Sequence, residues 1–533
     1  MSTNRSTVYL PLILAIVLSA GILLGLLVGN YSGKVFLSSS KESDKVREVI
    51  RYIEQNYVDT ISQGVLVEKT MTGLMQKLDP HSYYIPASEF HAMTDPLLGS
   101  FEGIGVQFRM EGDTITVISP VPGGPSEQVG IKAGDRIVRV NEEVVTGKKL
   151  SSLDVMKRLK GPKGTTVDVT VFRRGTPGLV EFTIIRDVIP TYSLDIAYLV
   201  SPGIGYIRLN NFSATTYEEF HRALADLMGN GMTKLIIDLQ GNSGGYLQAA
   251  VDVANEFLGK GALIVYTDGV NHPKEMYYGN GHGLFQTGEL VVLIDEWSAS
   301  AAEILAGAIQ DNDRGLVIGR RSFGKGLVQE QLNLRDGSAV RLTVARYFTP
   351  TGRCIQKPYG NGNEDYYADY YHRLLNGELE SADSIRLPDS LKYTTPKGKT
   401  VYGGGGIVPD IFVPVERAGD LKYYTQLINK GLLYRFAFDY TDRHRTELDR
   451  YTTFEEYNRQ FVISDELYHN AIDYAGKNGT SRDTGNHTLS DARARVMLKA
   501  YIGRNILDNE GFYPLLNSID PVFLKGMDLL KEK

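Results

Sequence analysis

The sequence predicts an α/β protein of several domains, and three observations carry that expectation. Between 193 and about 415, the short apolar runs KLIIDL, ALIVYT, LVVLID and GLVIG alternate with helix-patterned stretches near 214–229, 246–258 and 301–312. Strands that read apolar without alternation are strands covered on both faces. Ahead of them, residues 101–190 alternate like β-strands between glycine turns, and helical patterns stand at both ends of the chain. At roughly 100–200 residues per domain, a chain of 533 residues holds about three to five domains.

Composition excludes several classes of function. A net charge of −6 gives no electrostatic footprint for nucleic acid. One cysteine, Cys354, allows no intrachain disulfide, and neither CxxC nor HExxH occurs, so no zinc signature is present and no metal is expected.

Taken in order, residues 10–29 (LPLILAIVLSAGILLGLLVG) form an uncharged apolar run about long enough to span a ~30 Å hydrocarbon core. The run is longer than a secretory apolar region, and no Ala-x-Ala follows it, which predicts an uncleaved single-pass anchor. Arg5 favours a cytoplasmic N-terminal tail, against Lys34 and Lys41 on the other side. The expected location is therefore the bacterial cytoplasmic membrane, with the bulk of the chain on the periplasmic side. Residues 41–96 read as helices: Val46, Val49, Ile50, Ile53 and Val58 recur at near-helical spacing, and Pro80 in LDPHS stops a second helix.

Residues 101–190 run through FEGIGVQFRM, DTITVISPV, the turn-rich AGDRIVRVNEEVV, a short helix near 151–159 and the strand TVDVTVFRR. This order resembles a PDZ domain. In that family the loop equivalent to Gly103, Ile104, Gly105 and Val106 offers backbone N–H groups to a C-terminal carboxylate, and the next strand pairs with the peptide.

Two serines compete for chemistry in the α/β region. Ser243, in DLQGNSGGYLQ, sits in a motif like that of trypsin-type nucleophiles, which need a His base and an Asp. The upstream histidines His81, His91 and His221 lie in no strand-rich barrel, and the Gly-Gly pair between strand and helix reads instead as a site for an oxyanion or a substrate backbone. Ser300 follows the strand LVVLID and opens a helix, where the N–H of Ala301 and the helix dipole favour negative charge. Ser300 and Glu303 also fit a capping box. Lys325, in SFGKGLVQ, lies between two glycines beside Phe323, Leu327 and Val328. Burial there lowers a lysine pKa, and the neutral amine can take a serine proton. Gln329, four positions on, falls on the same strand face as Lys325, where it could hold the amine. Cys354, with no histidine near it in sequence, reads as a small buried hydrophobe rather than a nucleophile.

These residues together resemble the carboxy-terminal processing peptidases, or tail-specific proteases. Their Ser-Ala-Ser-Ala-x-Glu and Phe-Gly-Lys-Gly-x-Val-Gln segments appear around Ser300 and Lys325, and LDPHSYYI and GGGGIVPDIFV fit as well. DLQGNSGG departs from the family turn, with Gln240 in place of Arg and Ser243 where Pro is common. The resemblance implies a spiral ββα core related to crotonase and Clp-type peptidases, with a PDZ domain before it or inserted in it and no cofactor. It further implies Ser300 as nucleophile, Lys325 as base, Gln329 as its positioner, and the N–H groups of Ala301 and Gly245, with Gly244 beside it, as the oxyanion hole. Lys160 is a candidate gating residue, because family PDZ domains often place a basic residue there; it also reads as a solvated hairpin lysine. The expected partners are protein or peptide substrates with free C-termini, the membrane through the anchor, and a second copy or an adaptor. A catalytically silent PDZ scaffold and a crotonase-type acyl-CoA enzyme are the competing readings.

The expected division is 1–40 (cytoplasmic tail and anchor), 41–96 (helical segment), 97–188 (PDZ domain), 189–416 (Ser/Lys protease core) and 417–533 (a helical region with no role assigned).

Overall fold

The computed structural model describes residues 15, 19, 41–416, 418–482, 485 and 487–532. Among them no helix is long and apolar enough to cross a membrane. This corrects the expected single-pass anchor and the membrane location drawn from it. Apart from Ala15 and Ser19, the segment 10–29 lies outside the described residues.

The chain forms two compact units, divided after Lys77. The first contains the helices Lys41–Asn56 and Gln63–Gln76, the second of them capped by Ser62, whose hydroxyl accepts from Val65 N–H. The second unit begins at Leu78. Residues 78–96, expected with the N-terminal helices, therefore belong to the larger body, and Tyr83–Ile85 forms a strand against Ala339–Phe348.

The main sheet has six strands in the order Leu194–Ser201, Ile204–Leu209, Lys234–Asp238, Glu289–Ile294, Leu316–Gly319 and Ile411–Phe412. All are parallel after the first antiparallel pair. Successive residues of these strands enter two different cores. Leu235, Ile237, Val292, Ile294 and Val317 pack with the helices Thr216–Gly229, Leu247–Asn255 and Ala301–Asp311. Tyr206, Ile236, Val291, Leu293 and Ile318 pack against the C-terminal helices, including Phe523 and Met527. Two buried faces explain the continuous apolar runs.

The C-terminal region thus has a structural role that its sequence did not disclose. Termination of the chain at 416 would uncover Tyr206, Ile236, Val291, Leu293 and Ile318, each 0–1% exposed. At about 1.5–3 kcal/mol per large apolar side chain, that loss is comparable to a whole domain's stability. A chain ending at 416 is expected to give no soluble folded body, to be checked by gel filtration and circular dichroism.

A second, antiparallel sheet joins Tyr83–Ile85, Ala339–Phe348, Leu263–Asp268 and Glu275–Tyr278, with Leu327–Asn333 also paired to Ala339–Phe348. The 101–190 block has its own sheet and its own core of Ile104, Ile115, Val117, Ile137, Val155 and Val169. Its outer sheet face rests on the C-terminal helix Leu432–Arg443. There the Arg109 guanidinium lies 4.0 Å from the Phe438 ring centroid and 5.1 Å from that of Tyr434. Asp442 lies 3.5 Å from both Arg136 and Arg174.

Candidate active site

Ser300 closes the turn that follows the strand Glu289–Ile294. The Asp295 carboxylate fixes this turn by accepting from the N–H groups of Gly241 (2.9 Å), Trp297 (3.0 Å) and Ser298 (3.1 Å), so the 238–245 loop and the serine turn share one anchor. Ser300 has φ 55° and ψ −115°, a conformation that side chains other than glycine rarely adopt, held by the structure around it.

Gly244 is the close neighbour of this serine. Its φ is 96°, and a Cβ there would sit 2.6 Å from Ser300 Cβ and 2.9 Å from Ala301 N. Its N–H already donates to Asn242 Oδ1 at 2.9 Å. Gly244 therefore supplies clearance rather than a hydrogen bond, which corrects its expected place in the oxyanion hole. Gly245 differs. The bridge to Phe212 uses Gly244 C=O and Tyr246 N–H, leaving Gly245 N–H on the opposite side. Among the described residues neither Gly245 N–H nor Ala301 N–H has an acceptor.

Lys325 lies in the loop before the strand Leu327–Asn333. The wholly buried Glu303 ties it to Ser300: carboxylate Oε2 accepts from Ser300 N–H (2.8 Å) and from Lys325 N–H (2.9 Å), while Oε1 accepts from Gly324 N–H (2.7 Å) and Ser322 Oγ (2.5 Å). On the carbonyl side, the Tyr347 hydroxyl lies 3.1 Å from Ser300 O and 2.7 Å from Lys325 O. Both backbones are thus gripped from two sides, and Glu303 and Tyr347 are positioning residues. The capping pattern signalled Glu303. Nothing in the sequence signalled Tyr347, 22 residues beyond Lys325.

Burial, and then the charge of Arg341, pulls the Lys325 ammonium down to about 8, against Glu303 and Asp79. Among the described residues the amine has no hydrogen-bond partner. The expected link to Gln329 is absent, because Lys325 precedes the strand and a bulge between Val328 and Gln329 breaks the alternation. The Gln329 amide instead donates to Thr343 Oγ1 at 3.4 Å, and Thr343 donates to Asp79 Oδ1 at 3.0 Å.

That last contact brings the LDPHS turn into the site. Asp79 Oδ1 also accepts from the N–H groups of His81 (2.8 Å) and Ser82 (2.9 Å), and His81 Nε2 lies 2.7 Å from the Tyr366 hydroxyl. Burial first, and then the charge of Lys325, holds the His81 imidazole near 4, hence neutral at physiological pH. The other two histidines upstream of Ser243 pair with carboxylates, His91 with Asp95 (3.4 Å) and His221 with Glu256 (2.7 Å). Ser243 is exposed, with no side-chain hydrogen bond among the described residues. Gln240 donates to Asp520 Oδ2 at 2.7 Å, while Arg208, from the neighbouring strand, supplies the cation against Asp238. Burial pushes the Cys354 thiol up, away from nucleophilic thiolate character. Among the described residues no three His, Cys, Asp or Glu side chains converge as metal ligands would.

In the 101–190 block, the carbonyls of the 103–106 loop are tied inward: Ile104 O accepts from Ser126 N–H (3.0 Å) and Gly105 O from Val121 N–H (2.9 Å). The N–H groups of Ile104 and Gly105 have no acceptor among the described residues. They border an apolar cavity of about 300 Å³ between the strand Val106–Glu111 and the helix Ser152–Leu159, lined by Ile104, Val106, Phe108, Met156 and Leu159. The helix Phe90–Leu98 adds Asp95 and Pro96 to its wall. Lys160 is not a solvated hairpin lysine. Its amine pairs with the largely buried Asp95 at 2.8 Å and stands 4.5 Å over the Phe101 ring centroid.

Comparison with known proteins gives three family matches: Peptidase family S41 over residues 203–362, PDZ domain over 103–184, and a family of unknown function, DUF8443, over 423–508. A carboxy-terminal-processing protease of Bartonella bacilliformis is 35% identical over 321 residues, covering 59% of this chain and 73% of that one. The carboxy-terminal processing protease CtpB of Bacillus subtilis is 34% identical over 356 residues, 66% of this chain and 72% of its own. CtpA of the same organism is 33% identical over 361 residues, 67% and 76%.

Proposed function

The chain belongs to the carboxy-terminal processing proteases, serine peptidases of family S41 with a PDZ domain, and from that premise we propose that it cleaves proteins selected by their free C-terminal tails, with Ser300 as nucleophile and Lys325 as general base. The observation that carries the catalytic pair is the shared grip of Glu303 and Tyr347 on the backbones of both residues. Around it stand an amine with a lowered pKa and two free N–H groups beside the serine.

The neutral Lys325 amine takes the Ser300 Oγ proton as Oγ attacks the scissile carbonyl carbon. The developing oxyanion accepts from Ala301 N–H and Gly245 N–H at the start of the Ala301–Asp311 helix, whose dipole adds to the stabilisation. The Lys325 ammonium then protonates the departing amine, leaving an acyl group on Ser300. Water attacks that ester and gives one proton to Lys325; the collapse passes that proton to Ser300 Oγ and releases the new carboxylic acid, which loses its own proton to solvent.

Tail selection falls to the 103–106 loop and its apolar cavity: the free N–H groups of Ile104 and Gly105 suit a carboxylate, and Ile104, Val106, Phe108, Met156 and Leu159 suit an apolar last side chain. Lys160 gates this pocket in our reading. Its partner Asp95 lies in the pocket wall, on the helix that follows the strand Tyr83–Ile85 of the catalytic sheet. An unfolded protein ending in an apolar residue, assayed below saturation with a free and with an amidated C-terminus, tests the tail reading, because amidation removes the charge that the loop would hold. The amidated substrate is expected to be cleaved about ten- to a hundredfold more slowly, the scale of losing a hydrogen bond to a charged group at about 1.5–3 kcal/mol. Equal rates would remove tail recognition and leave the Ser300–Lys325 chemistry standing.

A further inference from the structure

The Tyr-rich stretch 359–382 reads from sequence as a polar surface insertion, and it lies mostly beyond the part of the chain that matches family S41. In the structure it holds the helix Asn363–Leu375, whose two faces do different things. The inner face grips the loop that carries Lys325. The buried Arg373 guanidinium donates to the carbonyls of Arg321 (3.1 Å), Ser322 (2.8 Å) and Phe323 (3.2 Å), and the Tyr366 ring meets Phe323 and His81 at centroid distances of 5.8 and 5.2 Å.

The outer face is aromatic and open to solvent. Tyr371 is 65% exposed, Tyr367 and Leu374 are exposed beside it, and Trp297, three residues before Ser300, is 49% exposed with its ring 5.0 Å from Tyr370. Tyr370 meets Tyr371 at 5.7 Å, and the Tyr367 hydroxyl donates to Pro80 O at 2.7 Å, in the turn that packs beside Lys325. Trp297, Tyr370 and Tyr371 thus form a chain of ring contacts that starts in the serine turn, and Tyr367, one helical turn from Tyr371, is tied to the turn beside Lys325; together they make a ledge on this helix. Three exposed aromatic rings grouped around Tyr370 form an exposed apolar patch of the kind that interaction sites use.

We propose that this ledge, Trp297 with Tyr367, Tyr370 and Tyr371, is a specificity subsite that takes apolar side chains of the unfolded substrate next to the bond being cut. The inference rests on the Ser300–Lys325 reading and deepens it. The occupant follows from continuity: the helix that holds the lysine loop presents the ledge, and the serine turn supplies its indole. Aromatic rings offer large, rigid contact area at low entropic cost, as an extended chain without fixed shape requires.

The test uses the full chain and two unfolded substrates with the same free tail and the same scissile bond, flanked by Leu and Phe in one and by Gln and Ser in the other. The unsubstituted enzyme is expected to favour the apolar substrate by about tenfold in kcat/KM, the scale of one apolar pocket contact. Trp297→Ala with Tyr371→Ala should collapse that ratio toward one, chiefly through KM, and Trp297→Phe with Tyr371→Phe should restore it. An unsubstituted enzyme with no preference overturns the proposal. So does a ratio that survives the alanine changes, even if sedimentation then shows the ledge to be a face between copies of the chain. Ser300→Ala, run alongside, separates the two readings: hydrolysis that persists in it refutes the catalytic pair, whereas the ratio reports on the ledge alone.

Discussion

Ser300→Ala is expected to abolish hydrolysis while leaving the fold intact. The substitution removes only Oγ, and the contacts that define the turn are made by the backbone of residue 300: its N–H to Glu303 and its carbonyl to Tyr347. Where nucleophile and base act as one unit, loss of either costs on the order of 10⁶ in kcat. Ser243→Ala is the comparison. That serine is exposed, has no base beside it, and should keep most of the activity. Rates for the two variants on one unfolded substrate, with circular dichroism to confirm folding, decide between them. A dead Ser243→Ala beside an active Ser300→Ala would reverse the assignment.

Lys325→Ala should be as inactive as Ser300→Ala, and Lys325→Arg no better, because a guanidinium does not give up its proton in a protein. For the unsubstituted enzyme, kcat/KM should rise with pH through about 8, where the ammonium becomes the amine that can act as base. His81, held near 4, adds no ionisation in that range, so the alkaline rise belongs to the lysine. The same shift has a sign in stability. The folded chain releases the Lys325 proton at about 8, whereas the unfolded chain keeps it up to the ordinary lysine value of 10.5. Between these values the unfolded state binds more protons, so this residue's contribution to stability rises with pH there and is unfavourable below 8. Lys325→Met should therefore be inactive yet melt higher than the unsubstituted enzyme at pH 7, with the difference narrowing above pH 8. A normal rate in Lys325→Arg, or a pH profile flat from 7 to 9, would remove lysine as the base.

What the sequence made legible follows from the range of each interaction. The strands and helices around Ser300 were readable because local periodicity reports burial on one or two faces, and the capping pattern of Ser300 and Glu303 marked the helix start. The second tie of Glu303, to Lys325, spans 22 residues and leaves no periodic trace. Gln329 was misplaced because a single bulge shifts every later side chain of a strand to the other face. Gly244 and Gly245 look equivalent in sequence, yet Asn242 engages the N–H of only the first. The LDPHS turn follows helices in the chain, and only the strand pairing of Tyr83–Ile85 with Ala339–Phe348 carries it to Lys325. The C-terminal helices were recognisable as helices, but the face they cover belongs to strands some 200–300 residues earlier.

Trp297 is the chain's single tryptophan among 32 tyrosines, and it lies half exposed on the ledge, three residues before Ser300. Light absorbed at the red edge, where tyrosine is transparent, therefore excites one indole in a molecule of 533 residues. Its emission reports the polarity of one spot beside Tyr370, in the turn that carries Ser300. A polypeptide that settles over the ledge strips water from that ring and shifts its emission to shorter wavelength. The molecule thus carries its own optical probe of occupancy, with no label attached and no bond cut.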